Sequence, residues 1–355
     1  MPDIRIGKEE LNAPMIDEII NLEKSLSRSS GQFVEDVKTP LYLNPIFYYA
    51  VASFIGAFVV WALMEPFYSD SEVGMRIPFV SDYMLFGPTA GMMGLSIGLV
   101  YGISNRNLKK MMYCGVVGVG VGLGATVVTT FIADILFGIT SQVAVAMAGG
   151  IRELPRGEYP LKGLPFFVFM CGRGLAWSVV SIGSGLSLGV ALKSKKLMLN
   201  GLAGGMVGGL LGGLLFDPVH RWLIAGEEAA LSRATGISAV GLLVGFFIGF
   251  FENISKDAWF LMLKGPLSGK QFSLFKSPMV IGSAPKCDIY LFKDAAIEPR
   301  HASVVKTGAK YMLADENSES GTHVNGRRIE KYILQPGDVV TIGQTVLKYH
   351  EREKR

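Results

Sequence analysis

Polarity along the chain changes in three blocks. Residues 1–40 are polar, but Met15, Ile19, Leu22 and Leu26 recur at 4-3-4 spacing, the single stripe of an amphipathic helix. Asn12 suits its N-cap and Pro14 an early helical position. Such a helix docks on its own protein or the bilayer surface, or binds a partner. Apolar stretches then cover about 46–67, 83–103, 111–133, 165–192, 199–216 and 237–252. Crossing hydrocarbon takes ~20 mostly apolar residues, a length that 199–216 only just reaches. From Trp259 onward the apolar runs shorten, and Gly, Pro, Asn and Asp separate many of them. The spacing predicts strands at 259–264, 271–274, 279–281, 289–291, 302–306, 310–314, 322–324, 339–342 and 345–349. Many short strands of this kind predict an all-β sandwich. The expected fold is therefore an α-helical membrane bundle of about six helices joined to a β-sandwich. Its divisions are 1–40, 41–254 and 256–355.

Charge orients the spans. Arg106, Lys109 and Lys110 lie between the second and third, and Lys193, Lys195 and Lys196 between the fourth and fifth. The other loops carry Glu65, Asp70, Glu72 and Asp82, or mixed charge with Glu227 and Glu228. Lysine- and arginine-bearing loops stay cytoplasmic, so both termini and the β-domain are expected in the cytosol. No apolar run near Met1 marks a cleavable signal peptide. Residues 253–270 leave little slack between the last span and the β-domain. The stretch 256–355 holds 16 Lys/Arg against 11 Asp/Glu, which favours an anionic leaflet or an acidic partner. Nothing suggests nucleic acid, because no dense basic stripe with interleaved aromatics occurs.

Glycine adds a rhythm of four: Gly94, Gly98, Gly102; Gly118, Gly122; Gly201, Gly205, Gly209, Gly213; Gly204, Gly208, Gly212; Gly241, Gly245, Gly249. On helices these make smooth faces for close packing, within the chain or between copies in a homo-oligomer. Gly94-Leu95-Ser96-Ile97-Gly98 is echoed by Gly185-Leu186-Ser187-Leu188-Gly189, and Lys109-Lys110-Met111-Met112 by Lys195-Lys196-Leu197-Met198. Spans two-three and four-five thus read as two parallel copies of one hairpin. The whole chain is 50% hydrophobic and 18% charged, with mean hydropathy +0.37. Soluble domains average ~25% charged residues, so membrane lipids are expected neighbours of the apolar part.

Chemistry inside the spans is sparse. Arg173 is the one basic residue within a predicted span, and Asp134 and Asp217 fall near the outer ends of spans three and five. All three are expected at one depth, with Arg173 paired to one of the acids. Gly183-Ser184-Gly185 invites comparison with rhomboid proteases, but their histidine in span six has no counterpart here. Cys114, Cys171 and Cys287 have no metal or redox spacing. No catalytic constellation, metal site or cofactor is expected.

The C-terminal motifs are more specific. In order they are Ile281-Gly282, Cys287-Asp288-Ile289, Arg300-His301-Ala302, Gly321-Thr322, Val324-Asn325-Gly326, Gly337-Asp338 and Ile342-Gly343. This series resembles the forkhead-associated (FHA) family over about 256–352. The resemblance implies a β-sandwich whose loops read phosphothreonine on a protein partner. It makes Gly282, His301, Gly321 and Gly326 framework residues, and Ser283, Lys286, Glu298, Arg300, Ser320, Thr322 and Asn325 the candidate ligand positions. The chain departs from the family pattern where phosphate is held. Ser283 stands for an arginine, Glu298 for a serine, Pro299 for an arginine and Ser320 for an asparagine. Losing the arginine removes the main positive charge, and Glu298 adds a like charge beside any phosphate. Lys286 or Arg300 compensates only if its loop turns inward. The expected function is a non-enzymatic membrane adaptor that recruits a cytosolic protein, phosphorylated on threonine or not. The alternative is a channel or transporter gated by the FHA-like domain, for which Ser96, Ser187 and Thr126 are the best pathway residues.

Overall fold

The computed structural model describes residues 37–67, 78–150, 161–223 and 229–352. The predicted helix at Met15–Leu26 and the acids Asp70, Glu72, Glu227 and Glu228 lie outside them. Contacts divide the chain into a helical unit, Pro40–Lys256, and a β unit that runs from Asp257 and includes residues 37–39.

The helical unit contains α1 (Pro45–Met64), α2 (Pro78–Ser104), α3 (Leu108–Met147), α4 (Gly163–Val180), α5 (Ile182–Ala191), α6 (Lys195–Leu223) and α7 (Ala229–Ile254). Asn44 caps α1, its carboxamide oxygen accepting the Ile46 amide at 3.0 Å, and Pro45 supplies a first-turn residue that needs no donor. Counting α4 and α5 together, six helical segments among the described residues are long and apolar enough to cross a membrane. Their outward side chains are apolar, among them Ile55, Val116, Val127, Val128 and Leu199, as hydrocarbon surroundings require. Two lengths differ from expectation. The third span, read as 111–133, continues to Met147, so α3 is ~60 Å long against a hydrocarbon core of ~30 Å. The fourth is broken at Ser181, where the backbone flattens to ψ −7°.

The glycine rhythm is spent on pairs within the chain. A Cβ on Gly94 would strike the Gly118 carbonyl, one on Gly98 that of Cys114, and one on Gly245 that of Tyr49. Gly204, Gly208 and Gly212 meet the backbone of Ile248 and Val244 and the side chain and Cα of Val240. These faces are therefore already covered by the chain's own helices, and a second copy has no access to them. Outside that rhythm, Gly120, Gly124 and Gly138 of α3 meet nothing.

The two hairpin turns have the same backbone. Arg106 and Lys193 both sit at positive φ, +50° and +51°. Asn107 N–H donates to Gly102 O at 2.9 Å and Ser194 N–H to Gly189 O at 2.9 Å. The side chains of Asn107 and Ser194 then cap the following helices. This turn matches Gly102 with Gly189 and so Gly98 with Gly185. The Gly-Leu-Ser-Ile-Gly echo had matched Gly94 with Gly185, one helical turn away. A four-residue rhythm looks the same after a four-residue slip, so sequence similarity alone could not choose the register.

The β unit is a two-sheet sandwich. Its strands are β1 (Ala258–Lys264), β2 (Gln271–Ser273), β3 (Met279–Gly282), β4 (Ile289–Tyr290), β5 (Ala302–Thr307), β6 (Lys310–Asp315), β7 (Thr322–Val324), β8 (Arg327–Ile329), β9 (Lys331–Ile333), β10 (Val339–Ile342) and β11 (Thr345–Glu351). One sheet has the order β2-β1-β11-β10-β7-β8 and the other β4-β3-β5-β6-β9. Alternation turns Ala258, Phe260 and Met262 of β1 inward, where they meet Ile281, Ile289, Leu313, Val340, Leu347 and Tyr349 in one buried core. Each large side chain so buried is worth ~1.5–3 kcal/mol. Two strands escaped the sequence reading, β8 and β9. Both lie at sheet edges, and Arg327, Arg328, Lys331 and Ile333 are exposed, so no inward-outward pattern marks them. The signal that would have found β8 is Asn325-Gly326. Both residues have positive φ, +51° and +79°, the conformation of a two-residue hairpin turn that favours this pair.

Candidate functional site

At one end of the sandwich three loops are bound together: 283–288 after β3, 291–301 before β5 and 316–321 before β7. The Ser283 amide donates to Glu298 O at 2.9 Å and the Ala284 amide to Pro299 O at 3.2 Å, fastening the first loop to the second. Ser320 Oγ donates to Ala296 O at 2.7 Å, and the Glu298 carboxylate accepts the backbone N–H of Glu319, fastening the second to the third.

His301 lies beneath them, fully buried. Its Nδ1 accepts the Glu298 amide at 3.3 Å, which leaves Nε2 to carry the proton and face Gly321 O at 3.4 Å. The imidazole thus bridges the second and third loops. Gly321 has φ +72°, and a Cβ there would strike the Arg328 guanidinium. Gly282 carries the first loop past the Pro299 carbonyl with no room for a Cβ. Asp294 was missed by the sequence reading. Its carboxylate accepts the amides of Ala296 (3.2 Å) and Gln344 (2.7 Å), tying the second loop to the β10–β11 turn. An Asp two residues before its amide partner is a local turn signal that could have found it.

The candidate ligand positions divide into three. Lys286 and Arg300 are exposed, and Arg300 Nε reaches Glu316 at 3.4 Å. Ser283 and Glu298 are half-buried at the loop junction, with Ser320 exposed beside them. Thr322 does not belong with them. It is fully buried and its hydroxyl donates to Asp315 Oδ1 at 2.6 Å, so it supports the third loop from within. Asn325 is likewise committed to the fold. Its amide donates to Asp338 at 2.8 Å and its carbonyl accepts the Val339 amide at 2.9 Å.

Two acids where β6 passes into the third loop have shifted acidity. Burial pushes the Asp315 carboxyl up, but hydrogen bonds from Ser318 and Thr322 and the nearby His301 outweigh it, so Asp315 titrates below its ordinary range. Glu316 is also lowered, by a hydrogen bond from Ser303 against the opposing effect of burial, and further by Arg300.

A second polar group lies in the helical unit. Arg173 Nε donates to Asp217 Oδ2 at 2.9 Å. Three rings surround the guanidinium, with centroids at 4.9 Å (Phe216), 5.2 Å (Phe169) and 5.3 Å (Phe137). Asp134 lines the same cavity as Arg173. Arg233 and Glu65, which the sequence reading did not join, form a two-bond pair through Nε and Nη2. No cluster of His, Cys, Asp or Glu among the described residues has the form of a metal site.

Comparison with known proteins bears on the β unit. Residues 261–353 match the family described as "Inner membrane component of T3SS, cytoplasmic domain". The glycogen accumulation regulator GarA of Mycolicibacterium smegmatis is 32% identical over 120 residues, 34% of this chain and 65% of that protein. The FHA domain-containing protein FhaB of Mycobacterium tuberculosis is 26% identical over 107 residues, 30% of this chain and 68% of FhaB. The C-terminal unit is an FHA domain. The chain spans just under two thirds of GarA's length. Among solved structures, the FHA domain of the CT664 protein from Chlamydia trachomatis is 26% identical, covering 27% of this chain and 98% of that one with a TM-score of 0.26.

Proposed function

We propose that this protein is a membrane-anchored adaptor whose FHA domain docks a cytosolic protein without requiring a phosphate. The observation that carries this is the Glu298 carboxylate seated on the Glu319 amide, between the two loops that His301 braces. A backbone N–H at such a junction is an anion donor, and here the protein supplies the anion itself. An incoming phosphothreonine, carrying about −1.5 to −2 charges, would have to displace a carboxylate. It would find at Ser283 no guanidinium to bind it. Lys286 and Arg300 are exposed on the same loops and suit contacts to an acidic or neutral segment. The matched family's description, an inner membrane component with a cytoplasmic domain, supports placing the FHA domain in the cytosol, on the side of the lysine-bearing turns. The glycine faces closed within the chain support a packed anchor over the channel reading.

Fluorescence polarisation of residues 257–355, which carry their own core, against phosphothreonine and unphosphorylated peptide mixtures tests the reading. The expected result is no preference for the phosphorylated set. Tight binding confined to that set would overturn it. Under the proposal, Glu298→Ser frees the Glu319 amide and raises affinity for the phosphorylated set.

A further inference from the structure

The six-stranded sheet of the β unit has an apolar outer face. Ala258, Phe260 and Met262 of β1 enter the sandwich core, so by alternation Trp259 and Leu261 point away from it. Register lays out the rest. Leu261 stands between Gln271 of β2 and Lys348 of β11, and Lys348 beside Val339 of β10. Trp259 stands between Ser273 and His350, its ring stacked on the imidazole at 5.4 Å. Val346 pairs with Lys264 across a bulge. The face thus carries Trp259, Leu261, Val339 and Val346, with the cations Lys264 and Lys348 set among them.

Outward side chains of an antiparallel sheet meet water unless a layer lies over them. Leu261 points outward and is only 4% exposed. The chain before α1 arrives at this face. Residues 37–39 belong to the β unit, and Gln271 Nε2 donates to Thr39 Oγ1 at 3.2 Å on the edge strand β2. The four strands from β2 to β10 span ~14 Å, more than the ~10 Å that three extended residues cover. Val37 and Lys38 are themselves exposed.

The sequence that runs into Val37, outside the described residues, complements the face. Met15, Ile19, Leu22 and Leu26 form one helical stripe. Successive residues of a helix turn by ~100°, which puts Glu18 on one flank of the stripe and Glu23 on the other. Residues 9–26 hold five acids against one lysine, opposite in sign to Lys264 and Lys348. A helix over 15–26 is ~18 Å long, enough to lie across the four strands. Residues 27–36 reach up to ~33 Å, ample to carry it from Thr39 back over β11.

We propose that Met15–Leu26 forms an amphipathic helix whose apolar stripe packs on this outer face, with Glu18 and Glu23 toward Lys264 and Lys348. The FHA domain is then joined to the helical unit by two short links, 40–44 and 255–257, rather than one. The test is the maleimide reactivity of Val346→Cys in the full chain solubilised in detergent, where no bilayer shields it, read above the three native cysteines. Deleting residues 2–36 should raise the rate about ten-fold, and so should Ile19→Asp combined with Leu22→Asp, as expected when a covering segment is removed. A synthetic peptide of residues 9–30 should restore protection to the deleted chain, which separates uncovering from unfolding. The same peptide carrying Glu18→Lys and Glu23→Lys should restore much less. Equal rates with and without residues 2–36, or equal rescue by the two peptides, would overturn the proposal. Binding of the native peptide to protein-free anionic vesicles, together with equal rates, would assign the segment to the bilayer surface instead.

Discussion

At the residue scale the FHA domain depends on a few buried polar side chains rather than on its exposed loop tips. His301 joins the second and third loops through two ring nitrogens. His301→Ala removes both bonds, leaves the Glu298 amide unmet and opens a void, so it should cost about 2–4 kcal/mol. Chemical denaturation measures that loss, and hydrogen exchange should show faster exchange at 296–300 and 318–321. Asp315 gives a pH prediction with a definite sign. Its carboxyl is held below the ordinary range in the folded state. The stabilisation is therefore present above the unfolded pKa of about 3.9 and is lost as pH falls through the lower folded value. Asp315→Asn should weaken the domain at pH 7 and flatten the fall in its Tm between pH 4 and 2. Motif order made His301, Gly282 and Gly321 legible in the sequence. It misplaced Thr322 because the motif records a residue's identity and not the direction of its side chain. It also passed over Asp294, whose partners at 344 and 345 come from a turn fifty residues away.

At the element scale the hydrophobic pattern located the six long apolar helical segments among the described residues but not every end. α3 runs past the expected stop at 133 because Ile135, Leu136, Phe137 and Ile139 continue the apolar run after Asp134. The acid reads as a boundary in sequence and is one group on a cavity wall in space. β8 and β9 were invisible for the opposite reason, since edge strands with exposed basic residues carry no alternation. The glycines permit a paired test. A Cβ on Gly185 would occupy the space of the Gly201 carbonyl, whereas one on Gly124 meets nothing. Gly185→Ala should force α5 from α6 and lower the Tm by several degrees. Gly124→Ala should be neutral or stabilise by up to ~1 kcal/mol, the difference in helix propensity. Equal losses in thermal unfolding would show that the glycines act through propensity and not through contact.

At the scale of the whole molecule, an FHA domain follows six long apolar helical segments among the described residues. Only residues 255–257 separate α7 from β1. The turns at Arg106 and Lys193 and the end of α7 fall on one side by helix count, and the α3 terminus at Gly149 and Gly150 on the other. The central claim is that the recognition loops face the cytosol, where a soluble partner reaches them. Labelling with a membrane-impermeant maleimide tests this directly, using Lys286→Cys on a recognition loop and Gly150→Cys beyond α3. In intact cells the account predicts labelling of Gly150→Cys alone, with Lys286→Cys reacting only after the membrane is opened. Labelling of Lys286→Cys in intact cells would place the FHA domain outside and contradict the account.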